Sequence, residues 1–174
     1  MPVPDFIVEL RRKVGHAPLW LPGVTAVVLH DHDVLLVKRS DNGAWTPVTG
    51  IVEPGENPAD CAAREVLEET GIQSVATRLA WVHVTRPVVH VNGDHAQYLD
   101  HVFRMDWVGG QPFPADDESD AAQWFDLSDM PPISDGMRRR IEMASDESTT
   151  AATLFDTVST DVPSQTVVET LPCT

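Results

Sequence analysis

Basic residues are scarce in this sequence. Twelve Lys and Arg stand against 27 Asp and Glu, which gives a formal net charge of −15. Because binding to nucleic-acid polymers and to anionic membranes depends on clustered basic side chains, this imbalance argues against both as partners. A small anionic substrate is compatible with it if a metal ion supplies positive charge locally.

Cysteines and long apolar runs are also few. Cys61 and Cys173 are too few and too far apart for a disulfide framework. No apolar run reaches membrane-spanning length, and the N-terminus lacks the basic and then apolar layout of a secretion signal. We therefore expect a cytoplasmic protein. The 174 residues suffice for one domain with a buried core.

The segment GIVEPGENPADCAAREVLEETGI, residues 50–72, contains the signals that begin and end one helix. Asn57 suits the N-cap, and Pro58 suits the first helical position. Gly71 follows at the place where a left-handed residue is favoured. The pattern predicts a helix between Asn57 and Gly71.

Three glutamates of this helix, Glu65, Glu68 and Glu69, are close neighbours at helical spacing. We expect them to share one face, opposite an apolar stripe that is predicted to contain Ala59, Ala62, Ala63, Val66 and Leu67. Like charges at this spacing cost roughly 0.2–0.5 kcal/mol per pair. A hard divalent cation with oxygen ligands would reverse that effect, and Mg²⁺ fits best.

The same segment resembles the signature of the Nudix hydrolases: a glycine, five residues, a glutamate, seven residues, and then Arg-Glu-apolar-x-Glu-Glu-x-Gly-apolar. The matching positions are Gly50, Glu56, Arg64, Glu65, Val66, Glu68, Glu69, Gly71 and Ile72. A solvated acidic helix face would explain the glutamates alone, but not the glycines and Arg64 at these intervals. The resemblance implies an α+β fold, an α/β/α sandwich with a mixed β-sheet, and often a homodimer.

The resemblance also implies metal ligands. Glu65 and Glu69 are the expected principal ligands of Mg²⁺, with Mn²⁺ as an alternative. Glu68 is expected to be a ligand or a base. The carbonyl of Thr49 or Gly50 is a further candidate ligand, and Glu53 is expected near a second or third metal ion.

Four residues are predicted to have catalytic or orienting roles. Besides Glu68, these are Arg64 and Glu56, which are expected to orient the ligands, and Glu118, with Asp117 behind it, in the acidic loop GGQPFPADDESDA. Relatives often supply one more carboxylate from this region. A solvated acidic loop is the alternative interpretation for each residue.

Three residues are substrate-binding candidates. An arginine at the position of Arg39 often lies in the substrate site of relatives, but Arg39 is also explained as a solvated residue at a strand end. Trp45 is either a platform for a base or, as we favour, a core aromatic. Arg86 is the third candidate.

The resemblance, to MutT-like and ADP-ribose pyrophosphatase-like members, predicts hydrolysis of a nucleoside diphosphate linked to another group. Pro87 lies fifteen residues after Ile72, as in ADP-ribose-type members, which slightly favours ADP-ribose or a nucleotide sugar. A house-cleaning pyrophosphatase for nucleoside triphosphates, including oxidised ones, is the first alternative. A non-catalytic nucleotide-binding domain is the second. The signatures of coenzyme A and NADH members are not apparent.

The rest of the chain is predicted to complete one domain, residues 1–145, followed by a tail, 146–174, that is disordered or laid on the surface. Residues 4–14 have helical spacing and predict an added N-terminal helix. Strands are expected at 23–30, 34–39, 45–51, 75–91, 97–108 and 123–127, and a closing helix at 134–144. The histidines His83, His90, His95 and His101 match no zinc signature, so we expect surface or hydrogen-bonded side chains.

Overall fold

The fold is assembled around β1 (Leu19–His30), a strand rich in β-branched and aliphatic residues. The computed structural model describes residues 3–90 and 92–148 of the chain. The other strands are β2 (Asp33–Arg39), β3 (Trp45–Thr46), β4 (Val48–Ile51), β5 (Gln73–Val84), β6 (Val88–Val89), β7 (His95–Gly109) and β8 (Ser119–Asp126). The helices are α1 (Asp5–Val14), α2 (Pro58–Thr70) and α3 (Asp135–Ser145).

The strands form one mixed sheet, as expected. Its order is β3-β2-β1-β7-β5, with β4 paired to β1, β6 to β7 and β8 to β2. The β1–β7 pair is parallel and the remaining pairs are antiparallel. The register of β1 against β4 sets Val24 opposite Gly50, which fixes Gly50 under α2.

The helices cover both faces of the sheet. Side chains alternate between faces along a strand, and in β1 Val24 and Val28 join the core cluster that contains Val66 of α2. Val27 joins the cluster that contains Ile141 of α3. The fold is therefore the expected α/β/α sandwich. Helix α1 packs through Ile7 onto a third, smaller cluster.

Several predicted boundaries need correction. The predicted strand 45–51 is two strands, β3 and β4, separated by Pro47, which has no N–H to donate to a ladder. Gly50 lies inside β4. The predicted strands 75–91 and 97–108 correspond to β5 and β7, which pair with each other, and the short β6 lies between them in sequence.

Helix α2 has the predicted bounds, and Gly71 follows it in the left-handed conformation with φ 69°. However, its rotation differs from the prediction. Glu65 and Glu69 are buried, whereas Leu67, predicted to lie on the apolar stripe, is 49% exposed. Residues two apart on a helix point about 200° from each other, so burial of Glu65 turns Leu67 outward.

The closing helix is capped by Ser134, whose hydroxyl accepts a hydrogen bond from the Met137 N–H at 3.3 Å. Met137 is half-buried, and Ile141 is buried. The Asn57 side chain does not cap α2; it donates to Asp60 instead.

Three of the four predicted histidines are hydrogen-bonded. His83 contacts Asp100 at 3.1 Å, His90 contacts the Tyr98 hydroxyl at 2.9 Å, and His101 contacts a backbone carbonyl. His95 is exposed, so all four agree with the prediction of surface or hydrogen-bonded side chains.

Most of the predicted tail, residues 149–174, lies outside the described residues. Within residues 3–90 and 92–148, no helix combines the length and the apolar character needed to cross a membrane.

Candidate active site

Glu65 is seated against the backbone of Gly50. Its side chain is fully buried, and a Cβ built on Gly50 would overlap the Glu65 carboxyl group. One oxygen, Oε1, accepts a hydrogen bond from Arg64 Nη1 at 3.0 Å. The other, Oε2, is buried and has no hydrogen-bond partner among the described residues. A buried carboxylate oxygen without a partner is costly, so this atom calls for a ligand.

Arg64 holds the acidic residues around Glu65. Its Nε and Nη2 donate to the two carboxylate oxygens of Glu56 at 2.7 and 2.9 Å, a bidentate geometry that gives strong hydrogen bonds. Its Nη1 also donates to Glu68 at 3.2 Å. Burial acts to raise the pKa of Glu56, but the hydrogen bonds from Arg64 and the chain backbone hold it below its ordinary value. The orienting roles of Arg64 and Glu56 stay predictions.

Glu69 opens onto a small pocket beside α2. The pocket is lined by Val37, Arg39, Thr46, Pro47, Thr49, Glu69, Glu118 and Ser119. It therefore brings together Glu69, Glu118 and Arg39, which the sequence placed on a helix, in a loop and at a strand end. Arg39 also pairs with Asp41 through two hydrogen bonds at 2.9 and 2.7 Å.

The pKa values of the two buried glutamates are raised. Burial raises the pKa of Glu65 to about 7, against the attraction of Arg64. Burial, with the negative charges of Glu65, Asp116 and Glu118, raises the pKa of Glu69 to about 8. The ionised form of both carboxyl groups is thus disfavoured, and a cation nearby would stabilise it.

The loop 110–118 supplies carboxylates from the other side of the pocket. Glu118 lines the pocket, and Asp116 also acts on Glu69 electrostatically. Asp117, which the sequence suggested as the second candidate, uses its carbonyl to accept a hydrogen bond from the Ser40 hydroxyl at 3.0 Å. The sequence did not single out Asp116, because the three consecutive acids at the end of this loop look alike.

The donor set suits a hard divalent cation. It consists of carboxylate oxygens, as Mg²⁺ prefers, and it includes the unpartnered Oε2 of Glu65. In the part of the chain that the structure describes, no three side chains of His, Cys, Asp or Glu converge closely enough to hold a metal ion as they stand. Glu68 instead faces Arg64 and is half-exposed. The fit to a cation therefore rests on the donor chemistry and on the unpartnered oxygen.

The remaining candidates lie elsewhere. Glu53 is exposed in the turn before α2, and its N–H donates to Glu56 at 3.1 Å. Trp45 packs edge-on against Phe125 with ring centroids 4.8 Å apart, in the second core cluster. Arg86 is exposed between β5 and β6. The structure does not place these three side chains in the lining of the pocket around Glu69.

A buried polar cluster, missed by the sequence reasoning, ties α3 to the opposite face of the sheet. Asp100 of β7 accepts hydrogen bonds from Arg140 Nε at 2.7 Å and from the Thr25 hydroxyl at 3.0 and 2.9 Å. His83 contacts the same carboxylate. The partners are distant in sequence, and Asp100 is one of several polar residues of β7, so no local pattern singles it out.

Comparison with known families gives one match that spans most of the chain. A sequence model of the NUDIX domain matches residues 20–144. The NAD-capped RNA hydrolase NudC of Vibrio parahaemolyticus is 32% identical over 124 residues, covering 68% of this chain and 43% of that protein. This chain spans less than half the length of the curated relatives it matches.

Solved structures give a similar result. The MutT NUDIX hydrolase from Burkholderia pseudomallei aligns with a TM-score of 0.60 and 26% identity, over 73% of this chain and 99% of that one. An ADP-ribose pyrophosphatase from Streptococcus suis aligns with a TM-score of 0.54 and 22% identity, over 71% and 88% of the two chains. The second likeness shows a shared fold.

Proposed function

The chain belongs to the Nudix family, and from that premise we propose that it hydrolyses the phosphoric anhydride bond of a nucleoside diphosphate linked to another group. One observation carries the proposal: Glu69 of the signature helix opens onto a pocket that it shares with Arg39 and Glu118. Beside it, Glu65 keeps a buried oxygen unpartnered. These residues together provide carboxylate oxygens that can bind a cation and an arginine that can bind a phosphate group.

The residues have separable roles in this proposal. Glu65 and Glu69, with Glu68, would hold the divalent cation, Mg²⁺ or alternatively Mn²⁺. When bound, such an ion neutralises phosphate oxygens and lowers the pKa of water. The backbone carbonyl of Gly50 and the side chain of Glu53 are secondary ligand candidates.

The groups around these ligands orient and complete the site. Arg64 keeps Glu65 and Glu56 in place through its hydrogen bonds, as neighbours of metal ligands commonly do. Glu118, at the edge of the pocket, accepts a proton from the attacking water. Arg39 contacts the diphosphate. Trp45 and Arg86 stay candidates for contacts with more distant parts of the substrate.

ADP-ribose or a nucleotide sugar remains our preferred substrate class, supported by the spacing of Pro87 from the signature. Nucleoside triphosphates, including oxidised ones, are the alternative, and the likeness to a MutT NUDIX hydrolase supports that class. A non-catalytic nucleotide-binding domain is the third hypothesis, and the intact set of signature glutamates argues against it.

NAD and NAD-capped RNA form a further candidate class, which one observation favours. Several of the curated relatives are named NAD-capped RNA hydrolases. The net charge of −15 opposes binding of the RNA polymer itself, so we place NAD before its RNA-linked form.

A substrate panel with chromatographic product analysis tests the proposal. ADP-ribose would give AMP and ribose 5-phosphate, a nucleoside triphosphate would give a monophosphate and pyrophosphate, and NAD would give AMP and nicotinamide mononucleotide. Turnover that requires millimolar Mg²⁺ supports the proposed hydrolysis, and the compound that is turned over identifies the substrate class. Binding of nucleotides without turnover of any panel member at any divalent cation would leave only the non-catalytic reading.

Two features outside the site are part of the proposal. We assign the catalytic unit to residues 1–145, with residues 146–174 as an appendage, so a chain ending after residue 148 is expected to keep full turnover. We also propose a homodimer, which light scattering coupled to gel filtration tests. A truncated chain without activity, or a monomer at micromolar concentration, would contradict these two assignments respectively.

A further inference from the structure

The loop 110–118 is attached to the end of α2 by an aromatic ring. Phe113 lies against Gly71, and a Cβ built on Gly71 would overlap the ring edge of Phe113 and come within 2.9 Å of its Cζ. Gly71 also has φ 69°, which favours glycine at this position for a second reason. The absence of a side chain at Gly71 thus forms a seat for Phe113.

Backbone hydrogen bonds fix the same attachment. The N–H of Phe113 donates to the carbonyl of Thr70 at 3.1 Å, and the N–H of Ala115 donates to the carbonyl of Glu69 at 3.0 Å. The last carbonyls of a helix have no partners within the helix. The loop therefore satisfies two of these groups, and one of them belongs to Glu69 itself.

The far end of the loop is attached to the turn after β2. The N–H of Ser40 donates to the carbonyl of Glu118 at 2.8 Å, and its hydroxyl donates to the carbonyl of Asp117. Asp116 lies between the attachment at Ala115 and this second attachment, which Glu118 forms through its carbonyl. The side chain of Glu118 shares the pocket with Glu69.

We propose that Phe113 is a positioning residue, whose ring in the seat at Gly71 holds loop 110–118 so that Glu118 faces Glu69. The proposal rests on the proposed function, since it assigns Glu118 to the hydrolytic site. Phe113 is 54% exposed, so replacing it costs less global stability than replacing a fully buried core aromatic. Its removal should therefore alter the site more than the fold.

The first test replaces Phe113 by Ala. We expect kcat to fall about tenfold, because a catalytic group displaced by about 1 Å loses that much or more, while KM for the preferred substrate changes little. Phe113→Tyr, which keeps the ring, restores kcat. Val108→Ala removes another exposed apolar side chain, 59% exposed on β7, and serves as the matched control with wild-type kcat.

A double-mutant cycle separates positioning from a general structural effect. If Phe113 acts through Glu118, then Glu118→Gln lowers kcat by a smaller factor in the Phe113→Ala background than in the wild type. The same comparison applies to Gly71→Ala, whose methyl group would displace the ring of Phe113. We expect Gly71→Ala to lower kcat by a smaller factor in the Phe113→Ala background than in the wild type. Additive effects of Phe113→Ala and Glu118→Gln, or wild-type kcat for Phe113→Ala, would overturn the proposal.

Hydrogen exchange provides a readout that does not need turnover. In Phe113→Ala the amide of Ala115 is expected to exchange at least tenfold faster, whereas amides in β1 keep their wild-type rates. If the wild-type protein hydrolyses no member of the panel, the proposed function fails, and the exchange rate still decides whether Phe113 holds the loop. Unchanged exchange at Ala115 would show that it does not.

Discussion

Glu65 occupies the space that a side chain on Gly50 would need. The strand and the helix can approach closely at this point because Gly50 has no Cβ, and the approach buries the Glu65 carboxyl group completely. Burial disfavours the ionised form of this carboxyl group, and its Oε2 has no hydrogen-bond partner among the described residues. The position of the Glu65 carboxyl group therefore depends on the absence of a side chain at Gly50.

Gly50→Ala should therefore damage both stability and turnover. The new methyl group would force Glu65 out of its place, and such overpacking costs typically about 1–3 kcal/mol. We expect a lower midpoint of thermal unfolding together with loss of Mg²⁺-dependent turnover. Gly109→Ala is the matched control, because its Cβ would meet nothing nearer than Gln73 Oε1 at 3.7 Å. Equal behaviour of the two variants would contradict the assigned role of Gly50.

Arg64→Lys tests whether the geometry of the guanidinium matters. Lysine keeps the charge but cannot donate to both oxygens of Glu56 and to Glu65 at once. We expect a loss of about 1–2 kcal/mol in the free energy of unfolding, with kcat reduced more than KM is changed. For comparison, Arg39→Lys removes the two-point geometry of a partly exposed pair with Asp41 and should cost well under about 1 kcal/mol. Full turnover by Arg64→Lys would rule out an orienting role.

The metal-free protein should lose stability as the pH rises. The pKa values of Glu65 and Glu69 are raised from 4.5 to about 7 and about 8. Stability that depends on the neutral carboxyl groups is complete below the unfolded value and is lost as the pH rises through the folded values. In EDTA we expect the free energy of unfolding to decline between about pH 5 and pH 8, and excess Mg²⁺ to reduce the decline.

Urea unfolding of Glu65→Gln and Glu69→Gln across the same pH range provides the control. Each substitution removes one titrating group, so each variant should show a shallower decline than the wild type. A decline of unchanged slope in both variants would assign the pH dependence to other residues.

Asp100→Asn should destabilise the fold without touching the proposed site. Asp100 is 3% exposed and pairs with Arg140, and breaking a buried ion pair typically costs about 3–5 kcal/mol. We expect a large loss in urea unfolding with near-normal KM and kcat in the folded fraction. Asp106→Asn, on the same strand but exposed, should be nearly neutral. An effect on kcat that exceeds the loss of folded protein would contradict this structural role.

The helix of the glutamates could be predicted from the sequence because its signals are local. The proline after Asn57 and the glycine after Thr70 define its ends, and the spacing of the glutamates places them together. Its rotation could not be predicted. Hydrophobicity puts Leu67 inside and Glu65 outside, and only the contact with Gly50 reverses that order.

The partners of the helix were predicted less well, because they come from distant segments. The acidic loop indicates Glu118 as a candidate, and the pocket beside Glu69 includes it. The sequence does not indicate Asp116, since it does not say which of several acids the loop turns toward α2. The pair of Asp100 and Arg140 is separated by 40 residues, and no local pattern links them.

The most direct measurement of the central claim is the Mg²⁺ dependence of turnover by Glu69→Gln, using the substrate that the panel identifies. Glu142→Gln, an exposed glutamate of α3, is the matched control. We expect Glu69→Gln to fold normally and to lose turnover by on the order of a hundredfold or more, while Glu142→Gln behaves as the wild type. Retained turnover by Glu69→Gln with an unchanged metal requirement would contradict the account.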